Sequence, residues 1–442
     1  MNAEEFLNAK TFMNAKELEC YDLVNEIEKE MSPQLLKTDE IAEFNQLKVL
    51  NAMQENRLCE AHFSPTNGYG YNDIGREALE DIYATIFKAE AALVRPQVVS
   101  GTHALTCALF GNLRPGDTLM YVTGAPYDTL HGVIGIKPEK GSLAEFGVNY
   151  RQVDLLPDGS FDYESIAIAL KNGEQPNGQN GKSQPTTQKP IKMVGIQRSK
   201  GYAWRPSYTV AQIGELIKFI KDISPDTICM VDNCYGEFVE HAEPVEVGAD
   251  MAVGSLFKNP GGGLAPVGGY VAGGLEYVEG AATRLTAPGL GREVGPTLGI
   301  TSNLLLGLFL APQVVSGSVR GAILASAAFD RLGYPTSPGP MDPRADIVQA
   351  IKLGSAEKVL AYCRGIQRAA PVDSFVTPEG SPMPGYDHEV IMAAGAFVQG
   401  STMELSADGP LKEPFIVFMQ GGLTRYHAKI GVVYALSEIG GR

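Results

Sequence analysis

From about residue 90 onward the chain alternates between short apolar runs and stretches with helical periodicity. The runs at 119–122, 193–196, 227–231, 251–253 and 267–271 carry few polar positions, as strands buried on both faces do. Between them, Val210, Ile213, Leu216, Ile217 and Ile220 recur at the spacing of one helix face. Strands alternating with helices predict an α/β architecture, a mostly parallel central sheet with helices on both faces. In such sheets ligands collect beyond the carboxyl ends of the strands. The polar residues that follow each apolar run are therefore the ones to read for chemistry.

The flanks differ. Residues 1–85 read as a charged, helix-prone arm, with Leu18, Leu23, Ile27 and Met31 near helical spacing, then a Gly/Tyr-rich loop at 64–75 and an amphipathic helix through Leu79, Ile82 and Ile86. The echo of FLNAK (6–10) in FMNAK (12–16) is too brief for a repeat architecture. The segment 171–190 is polar and rich in Asn, Gln, Gly and Pro, and is expected to be a mobile surface insertion. After Thr301 come a long apolar helical stretch, a Pro/Gly-rich piece at 371–385 and a strand at 415–420, the pattern of a smaller α+β domain. The expected division is an arm (1–85), a large domain (86–300) and a small C-terminal domain (301–442). The most apolar stretch, 304–311, is read as ending at Pro312, too short to cross a bilayer.

Composition narrows the functional classes. With 51 acidic and 36 basic residues among 442, the net charge is −15, which argues against nucleic acid or an anionic membrane as partner. The opening MNAEEFLNAK lacks the features of a secretory signal. Six scattered cysteines fit reduced thiols in a cytoplasmic protein, with Cys229 and Cys234 read as buried free thiols rather than metal ligands.

Chemistry concentrates after the apolar runs. Lys258, in GSLFKNPGGG, sits among apolar residues and glycines. Burial lowers an amine's pKa, and a neutral amine condenses with aldehydes, although a snorkelling lysine at a strand end is the simpler account. Asp232 closes TICMVD, where it could hold a pyridine nitrogen protonated or cap the next helix. Ser100, Gly101 and Thr102 open a helix, an arrangement that suits either a phosphate dianion or a plain N-cap, and Ser255 could add a hydroxyl to that anion. Tyr127, after the run at 119–122, could cover a flat heteroaromatic ring. Together these are the requirements of pyridoxal 5'-phosphate, which needs an aldehyde-binding lysine, a carboxylate, an anion cup and a stacking ring. His103 reads either as touching the cofactor edge or as satisfied by backbone, Trp204 as packing a loop near the site, and glycines 261–263 as permitting close backbone approach.

The order of these features resembles the fold-type I pyridoxal-phosphate enzymes. Longer strings, among them GYGYNDIGREALE, VRPQVVSGTHALTCALFGNLRPGD, VDNCYGEFVE, GSLFKNPGGGLAPVGGY and RLTAPGLGREVG, resemble the bacterial methionine gamma-lyase family, also labelled aluminium resistance proteins, over roughly residues 50–440. The resemblance implies a carbon–sulfur lyase acting on a sulfur amino acid by β- or γ-elimination, with pyridoxal phosphate as cofactor and no metal. It makes Lys258 the Schiff-base lysine and Asp232 the ring-nitrogen partner. Ser100, Gly101, Thr102 and Ser255 become the phosphate site, and Tyr127 the stacking ring that helps proton transfer. Tyr235 becomes a donor to the ring oxygen, or else a packing aromatic. It also implies that Tyr69, Tyr71 and Arg76 reach a neighbouring subunit's phosphate, hence a homodimer with shared sites and a dimer of dimers. One departure stands out: the strand at 415–420 lacks the substrate-carboxylate arginine of the lyases, and Arg425 comes late. Arg205, Arg198 and Arg292 are the remaining candidates, or none of the three takes that role. The alternatives are another pyridoxal-phosphate reaction, transamination or decarboxylation, or a non-catalytic role in metal tolerance.

Overall fold

The computed structural model describes residues 11–172, 190–383 and 388–440. The insertion expected at 171–190 lies almost wholly outside the described residues, as does the first FLNAK copy. The larger sheet contains β1 (Ala91–Arg95), β2 (Thr118–Tyr121), β3 (Asn149–Gln152), β4 (Ile191–Gln197), β5 (Ile228–Asp232), β6 (Met251–Ser255) and β7 (Gly269–Gly273), in the order β1-β7-β6-β5-β4-β2-β3. The run from β3 to β6 is parallel, and β7 pairs antiparallel with both β6 and β1.

Side-chain alternation divides the core between the two faces. Leu119, Met193, Met230 and Val253 pack on one face against α4 (Gly101–Asn112) and α8 (Leu275–Leu285). Met120, Val194 and Val231, one residue along, pack on the other against α6 (Tyr163–Asn172) and α7 (Val210–Ile223). Helix α7 begins at a capping box, with Gln212 N–H donating to Thr209 Oγ1 at 3.2 Å and Thr209 N–H to Gln212 Oε1 at 3.0 Å. It buries Val210, Ile213, Leu216, Ile217 and Ile220, each contributing roughly 1.5–3 kcal/mol.

The second sheet is antiparallel. It holds β8 (Thr336–Ser337), β9 (Gln349–Lys352), β10 (Val390–Ala394), β11 (Ser406–Pro410) and β12 (Ile416–Gln420), in the order β10-β11-β12-β9-β8. Helices α10 (Ala356–Ala369) and α11 (Arg425–Ile439) share its core with Cys20, Val24 and Ile27 of α1 (Ala15–Glu30). The next two helices, α2 (Ser32–Glu55) and α3 (Ile74–Phe87), contribute to another core with Tyr270 and Leu304.

Helix α9 (Thr301–Arg331) corrects the reading that Pro312 ends the apolar stretch. The helix runs through the proline for 31 residues, at the expense of one backbone hydrogen bond to the Leu308 carbonyl. Burial of Leu304, Leu305, Leu308, Ala311 and Val315 around the break compensates. By length and composition α9 could cross a membrane, but 78% of its most apolar window is buried inside the fold. Its first part belongs to the core shared with α2 and α3, and Leu324, Ala325, Ala328 and Phe329 belong to the small-sheet core.

Candidate active site

Parallel register brings the functional strand ends to one level. Gln197 pairs with Asp232, and Asp232 with Val253, two residues before Ser255. Beyond these ends lies a cavity of about 250 Å³. Its wall includes Lys258, Asp232, Ser100, Gly101, Thr102, Tyr127, Tyr235 and Ser255, eight of the residues singled out in the sequence.

Lys258 sits in the turn after β6, with its Nζ 3.9 Å from the centroid of the Tyr235 ring. Burial pulls its pKa down, but Cys234, Tyr235 and Asp232 outweigh burial and hold it above the ordinary lysine value. The expectation of a depressed amine is corrected: it weighed desolvation and missed the partners. Asp232 is pushed above the usual carboxylate range by burial, against the pull of Lys258 and a hydrogen bond from Cys234 N–H at 3.2 Å. The Cys234 thiol, also on the wall, is raised well above its ordinary value by burial and by Asp232. Gly261 allows the turn to close, since a Cβ there would meet the Leu256 carbonyl oxygen at 1.8 Å.

At the start of α4 both readings hold at once. Ser100 Oγ caps the helix by accepting from His103 N–H at 3.1 Å, and Ser100 also lines the cavity. The first N–H groups of a helix have no intrahelical acceptor, so those of Gly101 and Thr102 are available to an anion. A Cβ on Gly101 would come within 3.3 Å of Ser255 Cβ and 3.5 Å of Cys234 Sγ, so a side chain there would crowd this cradle. Thr102 Oγ1 is fixed by Thr129 Oγ1 at 2.7 Å, and Ser255 Oγ accepts from Phe257 N–H at 3.2 Å. Beside Asp232, Gln197 Oε1 is buried without a hydrogen-bond partner among the described residues. An anion cradle, a lysine, a buried carboxylate and aromatic rings on one wall fit pyridoxal phosphate.

The other named residues stand apart from this wall. Arg198 is fully buried, donating to Asn233 Oδ1 and Glu240 Oε1 at 2.7 Å each and lying 3.6 Å from Glu243. Arg292 pairs with Glu80 at 3.4 Å and Glu279 at 3.7 Å. The Arg205 guanidinium donates to the carbonyls of Gln197, Ser199 and Pro206, bracing the loop that lines the cavity without facing it. Arg76 is buried and donates to the Gly70 and Gly295 carbonyls at 2.6 and 3.1 Å, tying two loops of its own chain together. Tyr69 and Tyr71 stack 5.4 Å apart and are exposed, 65% and 57%. His103 Nδ1 accepts from Val99 N–H at 3.2 Å, the backbone-satisfied arrangement. Trp204 lies under Lys352 Nζ at 4.6 Å.

Gln197, Ser199, Thr129 and Gly400 are wall residues that the sequence reading did not name. Gln197 and Ser199 follow the run at 193–196, where the strand-end rule applied throughout would have reached them. Gly400 comes from the segment between β10 and β11 of the second sheet and carries no local signal.

Comparison with known proteins places this geometry in context. A family model described as methionine gamma-lyase matches residues 20–440. The Bacillus subtilis (strain 168) protein YnbB is 46% identical over 416 residues, 94% of this chain and 95% of that one. A Clostridium novyi NT crystal structure, described as a carbon–sulfur lyase involved in aluminium resistance, is 47% identical with a TM-score of 0.89, covering 100% of both chains. A Listeria monocytogenes structure, described as a candidate cystathionine beta-lyase involved in aluminium resistance, is 49% identical with a TM-score of 0.88, covering 95% of this chain and all of that one. At the level of fold alone, the pyridoxal-5'-phosphate-dependent Escherichia coli protein YhfS matches with a TM-score of 0.57 at 14% identity, over 90% of this chain and 95% of that one.

Proposed function

The chain belongs to the methionine gamma-lyase family, and from that premise we propose that it is a pyridoxal-phosphate-dependent carbon–sulfur lyase that eliminates a thiol from a sulfur amino acid. The observation that carries this reading is one cavity wall holding Lys258, Asp232, Tyr127 and the open N-terminus of α4. When bound, the cofactor supplies an electron sink for the negative charge that develops at the substrate Cα.

Lys258 would hold the cofactor's aldehyde carbon through Nζ. Asp232 would keep the ring nitrogen protonated, and its burial gives that contact a low dielectric in which to act. Ser100, Gly101, Thr102 and Ser255 would receive the phosphate. Lys258 Nζ would take the proton from the substrate Cα, and Tyr127, on the same wall, would cover the ring and protonate the departing sulfur. The buried acceptor Gln197 Oε1 would accept a hydrogen bond from a donor of the bound substrate. We further propose that the chain acts as a homodimer, with the exposed, stacked Tyr69 and Tyr71 offered to the neighbouring subunit's site.

The test is an absorbance spectrum of the purified protein followed by thiol assays with methionine, homocysteine, cystathionine and cysteine. A visible cofactor band with release of thiol and a keto acid is expected. Amine transfer to an added keto acid without free thiol would replace the lyase reading with a transaminase one.

A further inference from the structure

The two faces of the second sheet have different neighbours. On one, Ala407, Val417 and Met419 share a core with α10 and α11. On the other stand Asp408 and Phe418, which face each other in register across β11 and β12, with Ile416 and Ala350 beside Phe418. Two tyrosines from loops of the larger sheet pack on this second face, Tyr202 after β4 and Tyr235 after β5. Tyr235 is the ring under the Lys258 ammonium, and Tyr202 lies beside Tyr127, their ring centroids 6.3 Å apart. One sheet face therefore reaches both groups to which the proposed reaction gives a proton.

Tyr202 is held at its ring and at its hydroxyl. The ring meets that of Phe418 at 5.2 Å, and the O–H donates to the Asp408 carboxyl. Gln420 Nε2 donates to Asp408 Oδ2 at 3.3 Å, which fixes the acceptor in turn. Burial lifts the Asp408 carboxyl to about 7 against these two donors, and either protonation form keeps an oxygen that can accept from Tyr202. Gly201, the residue before Tyr202, has its backbone against the Tyr127 ring. Gly201 and Tyr202 together thus flank the Tyr127 ring, and their own place is set from a distant part of the chain.

Resting on the reading of Tyr127 as the group that protonates the departing sulfur, we propose that Asp408 and Tyr202 are positioning residues through which the second sheet sets the place of the Tyr127 hydroxyl. In the step concerned, the C–S bond breaks, sulfur keeps the electron pair and takes the phenol proton of Tyr127, and the phenolate recovers a proton from solvent. A displaced phenol slows departure of a basic thiolate. It leaves untouched the departure of a group that needs no proton, and also the removal of the Cα proton by Lys258.

The test compares holoenzyme with its Asp408→Ala, Asp408→Asn and Tyr202→Ala variants. Keto acid is measured from S-methylcysteine and methionine, whose thiolate needs a proton, and from 3-chloroalanine and 2-amino-4-chlorobutanoate, whose chloride does not. Both Ala variants should lower kcat for the sulfur compounds by about ten- to a hundredfold. Their losses for the chloro compounds, and for exchange of the Cα proton in deuterium oxide, should stay within about threefold. Asp408→Asn, which keeps an acceptor for Tyr202 O–H, should recover most of the rate. Fluorine NMR of holoenzyme containing 3-fluorotyrosine gives a readout without turnover: the Tyr127 resonance, identified by its loss in Tyr127→Phe, should shift in both Ala variants and return in Asp408→Asn. Equal losses for sulfur and chloro compounds, or a Tyr127 resonance unmoved in the Ala variants, would overturn the positioning role. Absence of keto acid from every sulfur compound with the unmodified protein, while the resonance still shifts, would instead reject the lyase reading and leave the positioning standing.

Discussion

The Lys258 ammonium lies over the Tyr235 ring, 3.9 Å from its centroid, and the residue after the lysine keeps the ring there. Tyr235 has φ +72°, a left-handed conformation that a bulky side chain adopts only under constraint. Asn259 Nδ2 supplies that constraint by donating to the Tyr235 and Glu237 carbonyls at 3.0 and 2.8 Å. The ring favours the charged amine, so Tyr235→Ala should lose about 0.5–2 kcal/mol of that stabilisation and lower the amine's pKa. Tyr235→Phe should retain it. The pH dependence of cofactor attachment separates the two, and identical profiles for Phe and Ala would remove the ring from this role.

Lys258→Ala should abolish the visible cofactor band and reduce thiol release by at least about a thousandfold, because the same Nζ both holds cofactor and moves the proton. A protein that stays yellow after this change would disprove the assignment.

Arg198 should prove structural. Arg198→Ala leaves Glu243, 2% exposed, without its buried counter-ion, a change that costs roughly 3–5 kcal/mol. Thermal stability should fall sharply, while KM of the surviving folded enzyme stays the same. A KM that rises at unchanged melting temperature would make Arg198 a substrate ligand after all.

Glu237 gives the fold a pH dependence of definite sign. Burial lifts its carboxyl from 4.5 to about 8, so between these values the folded protein keeps a proton that the unfolded chain has released. Its contribution is therefore greatest below about 4.5 and is lost progressively as pH rises toward about 8, by a few kcal/mol at most. Glu237→Gln, which preserves an acceptor for Tyr270 O–H, should flatten this slope. Parallel melting curves across pH 5–8 for both proteins would count against it.

Gly201 has φ +56°, and a Cβ there would lie 3.2 Å from the Tyr127 ring. Gly201→Ala should cost about 1 kcal/mol in backbone strain and push Tyr127 out of place, lowering kcat more than cofactor affinity. Equal loss of both would indicate general collapse of the loop.

Much of the larger sheet and its wall was legible because it rests on local signals. Ile228–Val231 is uniformly apolar and Asp232 is the first carboxylate after it, so parallel topology alone carries that residue to the ligand end. Pro312 misled because a helix stop is a local signal, whereas the packing that carries α9 through it comes from residues far away in sequence. Arg198 shows the same limit. Its position beside a strand end was readable, but that its guanidinium turns to a carboxylate rather than the cavity depends on Glu240 and Glu243, more than forty residues further along. The amine of Lys258 failed in sign for a related reason, since burial is suggested by composition but its partners emerge only once β5 and β6 lie side by side.

Helix α9 contributes side chains to two cores that belong to different sheets. Neither core can lose its order without stripping half of a helix that the other needs, so the halves are bound into one cooperative unit of unfolding. Calorimetry should accordingly record a single melting transition, and a helix-breaking substitution near the middle of α9 should lower it for both sheets together. A chain with two separate sheets then behaves, thermodynamically, as one unit.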